Sequence, residues 1–295
     1  MRNTFGTYHP LINFIFFAGA IGFGMFINHP FFIAMSYLCS VCFYFLLTKN
    51  KSRKFIFTSI ILSMSISFFN AVMNPMGDTV LFVWINNRNF TLESLIYGAV
   101  IGFNCASIIL WFCCYNIIMT NDKFMYLFSK FAPSITLVLS MTLRIVPKLE
   151  NKTKAIINAR NCIGKTIDNK SNKEKVKNGI EVLSILTSCA LEDAVITADS
   201  MRSRGYVSKG RTNYMVYNKT LRDKILKTIF VLLILLIIPC AIKGGMNVQY
   251  IPKIIFPKID IFTIIALIAY FIFLFIPIAI EISEDIIWHI LKSKI

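Results

Sequence analysis

The sequence predicts an all-α, polytopic membrane protein: about six transmembrane helices, with a helical cytoplasmic domain between the fourth and fifth. Three observations predict it. Hydrophobic residues make up 56% of the 295-residue chain and charged residues only 16%, whereas soluble domains carry about a quarter charged residues. Several apolar runs approach the ~20 residues that cross a bilayer at ~1.5 Å per residue. The basic charge is also segregated: of 31 Lys and Arg, 20 lie between Lys123 and Lys227, and four more sit in Lys49-Asn-Lys-Ser-Arg-Lys54.

In chain order the spanning segments are residues 11–27, 31–47, 55–73, 95–119, 225–242 and 261–280. The first follows a single arginine and leads at once into Asn28-His29-Pro30 without a small-residue cleavage site, so it reads as a retained helix, not a signal peptide. Lys227 can snorkel from the start of the fifth span to the headgroups. Residues 131–143 are apolar but only 13 long and contain Pro133, a length typical of an interfacial or re-entrant helix. Placing Lys49–Lys54 inside makes the third span exit and the fourth return, as the positive-inside rule requires. The chain then divides into residues 1–121 (spans one to four), 122–224 (a helical cytoplasmic domain) and 225–295 (spans five and six and a tail). Both termini fall in the cytoplasm, and the loops outside are 74–94 and 243–260.

Within the cytoplasmic domain one helix is expected over about residues 144–160, with Pro147 near its beginning, where proline is tolerated, and Gly164 as a C-terminal cap. A polar linker, Lys165-Thr-Ile-Asp-Asn-Lys-Ser-Asn-Lys-Glu-Lys175, leads to a second helix over about 179–204 that Gly205 ends. Glu181, Glu192, Asp193 and Asp199 argue against its being a membrane span. Ala190, Ala194 and Ala198 recur every four residues and form a small-residue stripe, which lets two helix backbones approach closely.

Several chemistries are excluded. A nucleic-acid surface would interleave aromatics with its basic residues, and this region has few. The eight cysteines fall mostly in apolar runs and behave as small hydrophobes. Cys39-Ser-Val-Cys42 lies mid-span with no second pair, and His9, His29 and His289 are far apart, so no metal cluster is visible. Ala159-Arg-Asn-Cys-Ile-Gly-Lys-Thr166 is one residue from a P-loop but follows helical sequence instead of a strand. Glu192 and Asp193 are adjacent on a helix and diverge, so they do not converge on one substrate atom. What remains is a pair of arginines, Arg160 and Arg204, at the ends of two predicted helices. Each complements a helix dipole, and arginine also suits bidentate, charge-assisted contacts across an interface.

At these residues the chain resembles the transmembrane coupling component of energy-coupling factor (ECF) transporters, the family that includes cobalt-permease subunits. Ser203-Arg204-Gly205, within Ala198-Asp-Ser-Met-Arg-Ser-Arg-Gly-Tyr206 and before Gly210-Arg-Thr212, resembles the second of the family's two Ala-Arg-Gly-like motifs. Ala159-Arg160-Asn161 resembles the first, with Asn161 where Gly is commoner. Leu143-Arg144-Ile-Val-Pro147 is similar to the family's Arg-x-x-Pro lead into the first coupling helix. Asn74-Pro75, Gly77-Asp-Thr-Val-Leu81 and Phe90-Thr-Leu-Glu-Ser-Leu-Ile-Tyr-Gly98 are similar to the segment before the fourth span.

The resemblance implies a non-catalytic subunit of an ATP-hydrolysing importer in the bacterial cell membrane. Its implied partners are two cytoplasmic ATPase subunits, which bind ATP and magnesium, and one substrate-binding membrane subunit. This chain holds no cofactor of its own in that scheme. Ala159, Arg160, Asn161, Ser203, Arg204 and Gly205 would dock the ATPases, and Pro147, Ala190, Ala194 and Ala198 would pack the coupling helices. The cargo implied is a vitamin or a transition-metal ion. A stand-alone secondary transporter or channel is the second reading, but such carriers hold charges at mid-membrane and these spans are nearly uncharged. An intramembrane enzyme comes third, since no converging polar constellation is visible.

Overall fold

The computed structural model describes residues 4–48, 52–74, 77, 79–84, 88–129, 132–164, 172–206, 217, 220–242, 248, 250 and 261–293. Its helices are α1 (Thr4–Thr7), α2 (Pro10–Phe26), α3 (Pro30–Thr48), α4 (Ser52–Met73), α5 (Leu92–Ile118), α6 (Asn121–Ser129), α7 (Pro133–Cys162), α8 (Asn172–Ser203), α9 (Leu221–Ile242) and α10 (Ile261–Ser293). Five of them (α3, α4, α5, α9 and α10) are long and apolar enough to cross a membrane, and α2 is a shorter apolar helix. The protein is an all-α, multi-pass membrane protein. The longer α7 and α8 do not meet the same apolar criterion.

The chain forms two compact units, Met1–Phe124 with Tyr217–Ile295, and Met125–Val216. In the first, the apolar runs pack around an aromatic cluster. The Phe16 ring meets Phe5, Phe17, Trp111, Phe230 and Phe273 at centroid separations of 5.1–5.6 Å. Such tilted and edge-to-face pairs are favourable beyond the area they bury. Trp111 Nε1 donates to Ser36 Oγ at 3.1 Å, which satisfies the one polar atom this cluster buries from the indole. α4 and α5 approach more closely than bulky side chains allow. A Cβ on Gly98 would lie 2.7 Å from the Ser67 carbonyl oxygen, and one on Gly102 would collide with that of Ser63. Small residues at four-residue spacing on both helices let the backbones touch, and in lipid this van der Waals fit drives helix association.

Buried polar groups tie the ends of this unit. Two His-Pro pairs start helices in the same way: His9 Nδ1 accepts from Leu11 N–H at 3.2 Å, and His29 Nδ1 accepts from Phe31 N–H at 3.4 Å. Proline then occupies the first helical position, where its missing N–H costs nothing. Glu281 of α10 accepts from the backbone N–H groups of Thr4 and Phe5, at 3.3 and 3.1 Å. Lys123 Nζ donates to the carbonyls of Gly6 and Ile118, the second at 2.8 Å, and its burial lowers its pKa.

Between α4 and α5 the structure has an element the sequence reading lacks: an antiparallel hairpin of β1 (Val80–Trp84) and β2 (Arg88–Thr91), pairing Phe82 with Phe90 and Trp84 with Arg88. The buried Glu93 anchors its base by accepting from Thr79 Oγ1 at 2.7 Å and Thr79 N–H at 3.3 Å. Any side chain at Gly77 would collide with that carboxylate.

The second unit contains α7 and α8, and here helix boundaries differ from expectation. The helix expected to begin near Arg144 does not begin there: residues 133–143 and 144–162 are one continuous helix. Pro133, expected to break the apolar segment, instead takes the first helical position. Pro147 lies inside α7 instead of near its start, and it is exposed. α8 likewise begins at Asn172, seven residues before the expected start, inside what composition alone presents as linker. Residues 165–171 lie outside the described residues.

Candidate functional site

Three ion pairs set how α7 and α8 run. Arg160, in the last turn of α7, reaches Glu181 near the start of α8, Nη2 to Oε2 at 2.7 Å. Further back along α7, Lys152 and Lys148 both meet Asp193, farther along α8, at 2.6 and 3.0 Å. As numbers fall on one helix they rise on the other, so the two helices form an antiparallel hairpin. The lysines hold the Asp193 carboxyl below the usual aspartate range, Lys152 contributing most, and Asp193 in turn raises the pKa of Lys152.

The antiparallel arrangement puts the two arginines at opposite ends of the pair. Arg160 sits opposite Glu181, and from there to Arg204 α8 rises about 35 Å at 1.5 Å per residue. An antiparallel pair has an approximate two-fold axis between its members, so the two C-terminal turns lie at opposite ends of the hairpin.

Their local settings differ. The end of α8 closes in a Schellman motif: Tyr206 N–H donates to the Met201 carbonyl at 3.2 Å and Gly205 N–H to that of Arg202 at 3.1 Å. Gly205 has φ +71°, a left-handed conformation that costs other residues about 1–2 kcal/mol. Arg204 is therefore the cap residue itself, and it is exposed with Ser203 and Gly205. On α7 the left-handed glycine is Gly164, at φ +80°, its N–H donating to the Asn161 carbonyl at 3.0 Å. With Asn at 161, the helix runs a further turn before it caps. Arg160 thus lies on the side of the last turn instead of at the tip, and it is buried, while Ala159 and Asn161 are exposed. Its Nη2 also donates to Asn178 Oδ1 at 3.2 Å. Arg160 Nε and Asn178 Nδ2 are buried without a hydrogen-bond partner among the described residues.

The alanine stripe lies away from this seam. Ala194 and Ala198 are exposed and Ala190 is half-buried, while Asn178, Glu181, Val182 and Asp193 occupy the opposite side of α8, where Asn178, Glu181 and Asp193 contact α7. Val176, Ile180, Leu183 and Leu191 extend the stripe as an exposed apolar face. Asn178 and Glu181, which hold Arg160, were not singled out as a site by sequence reasoning. The signal available was their three-residue spacing, which puts both on one face. Among the described residues no group of three metal-ligating side chains gathers. Lys165 and Thr166 of the P-loop-like segment lie outside the described residues.

No protein-family model matches the chain. It is 37% identical over 101 residues to the energy-coupling factor transporter transmembrane protein EcfT of Lactobacillus helveticus, a match covering 34% of this chain and 36% of that protein. It is 38% identical over 84 residues to the protein of the same description from Streptococcus thermophilus, covering 28% of this chain and 32% of that protein. Both of these proteins are described as transmembrane proteins of energy-coupling factor transporters. The chain matches about a third of the length of these curated relatives. The similarity agrees with the resemblance carried by the arginine motifs.

Proposed function

We propose that this chain is the coupling subunit of an ECF-type importer, carrying ATP-driven motion from two cytoplasmic ATPase subunits to a substrate-binding membrane subunit. The observation that carries the reading is the placement of Arg160 and Arg204 at opposite ends of one antiparallel helix pair. Two such ends, related by an approximate two-fold axis, match the symmetry of a paired ATPase, whose two copies present the same surface twice. Arginine at each end offers a fork for a carboxylate in each ATPase. The exposed apolar face of α8 is then available to the substrate-binding subunit. The cargo is a vitamin or a transition-metal ion, held by that subunit. ATP and magnesium belong to the ATPases, and this chain is not itself an enzyme. It sits in the bacterial cell membrane with both termini in the cytoplasm.

Charge reversal tests the reading. Arg204→Glu is expected to reduce recovery of ATPase subunits with the purified chain at least ~10-fold, the loss of one strong charge-assisted contact. Arg160→Glu is expected to weaken the other end. Unchanged ATPase recovery and uptake in both variants would sink the docking assignment.

A further inference from the structure

We propose that Glu181 is a placeholder for the ATPase carboxylate at Arg160, so that docking at this end proceeds by exchange of one carboxylate for another. The inference rests on the docking role proposed for Arg160 and adds to it a resting state and an order of events.

The two arginines are not equivalent. Arg204 caps its helix beside the left-handed Gly205 and is exposed. Arg160 lies one turn inside its helix end, and its side chain is 10% exposed against Glu181 and Asn178. A partner arriving at Arg204 meets an exposed guanidinium. At Arg160 it meets an ion pair already made.

That ion pair is incomplete. Its hydrogen bonds to Glu181 Oε2, at 2.7 Å, and Asn178 Oδ1, at 3.2 Å, both use Nη2, and Nε is buried and unpartnered among the described residues. A buried donor without an acceptor carries a desolvation penalty. A carboxylate approaching the Nε–Nη2 edge side-on would satisfy both nitrogens at once, the bidentate geometry that guanidinium favours. Glu181 therefore keeps the charge compensated at rest, while an incoming carboxylate can bind more completely. Glu181 is only partly buried, with 39% of its side chain exposed, so solvent can receive it when it leaves. The Asp193 cluster lies farther along the hairpin and does not touch Arg160, so α7 and α8 stay pinned while the exchange occurs.

The test titrates the ATPase pair that co-purifies with the full-length chain back onto that chain in nanodiscs. Glu181→Gln is expected to tighten binding about tenfold, because a strong charge-assisted bond no longer has to be broken first. The gain should vanish in an Arg160→Ala background, and Asp193→Asn, which loosens the hairpin without touching Arg160, should give none. A Glu181→Gln variant that binds no tighter overturns the exchange. So does a gain that persists without Arg160 or is reproduced by Asp193→Asn. If Arg160→Ala alone leaves binding unchanged, the docking role of Arg160 fails instead, and the exchange with it. A readout without partners guards against misfolding: in the isolated wild-type chain, dicarbonyl modification should mark Arg204 and spare Arg160, and Glu181→Gln should expose Arg160. Equal modification of both arginines in the wild-type chain would overturn the resting clasp.

Discussion

Single residues set the closest approaches in the membrane unit. Gly102 is the sharpest case, because the obstacle to any side chain there is the Ser63 backbone and not a side chain that could swing away. Gly102→Val is therefore expected to push α5 off α4 and destabilise the unit by about 1–3 kcal/mol, the usual cost of overpacking. Thermal unfolding in detergent reads this, and a variant as stable as the parent would mean that the two helices can separate freely. The contact was not read from sequence, although a signal was there: Gly98 and Gly102 share a four-residue spacing with Ser59, Ser63 and Ser67, all three buried on α4. The roles of His9 and His29 were half-legible. Their separation excluded a shared metal, and the repeated His-Pro pair was the sign of two helix starts. Glu181 was visible only as a charge that argued against a membrane span. Its partner depends on how α7 and α8 are set against each other, and side-chain spacing within either helix does not fix that.

At the scale of elements, the spans were legible because an uninterrupted apolar run has few alternatives to a membrane helix. The β1–β2 hairpin was not, since a strand of four or five residues offers little periodicity and its anchor, Glu93, belongs to the next helix. The α7 start was misplaced for a physical reason. A change from apolar to polar composition marks a change of surroundings, and the backbone hydrogen bonds of a helix pass through it unchanged. Pro147 then falls mid-helix, where it removes a backbone donor and leaves the carbonyl four residues earlier without its usual partner. The α7–α8 hairpin that results is held by charge, so its pH response has a definite sign. Asp193 titrates below its ordinary value of about 3.9, which means that its contribution is complete above about pH 4 and is lost as pH falls through the depressed value. Lys152, shifted upward by Asp193, keeps its charge to beyond the ordinary lysine value of about 10.4. Spin labels on the exposed faces of α7 and α8 should report a constant separation from about pH 5 to about pH 9 and a widening only in stronger acid. Widening near neutrality would show that the Asp193 ion pairs do not hold the helices together.

For the whole molecule, the question that decides whether the hairpin can meet ATPases is the side of the membrane on which it lies. Continuity of α7 sharpens that question, because its apolar first half and polar second half now belong to one rod. If residues 133–143 crossed the bilayer, they would cover less than 20 Å at ~1.5 Å per residue, against a hydrocarbon core of ~30 Å. They would also carry Lys148, Lys152, Lys154 and Arg160 to the outside, against the positive-inside rule. A helix lying at the interface avoids both costs: Ile135, Val138 and Val146 are exposed on α7 and can meet lipid, while the basic half remains in water. The chain supplies its own probe, since Cys162 is a free, exposed thiol at the end of α7, two residues from Arg160. In a variant keeping only this cysteine, a membrane-impermeant maleimide is expected to label permeabilised cells and to leave intact cells unlabelled. Labelling from outside intact cells would place the hairpin on the wrong face for any nucleotide-driven partner. Both arginines would then need another explanation, and the coupling reading would fall with the topology.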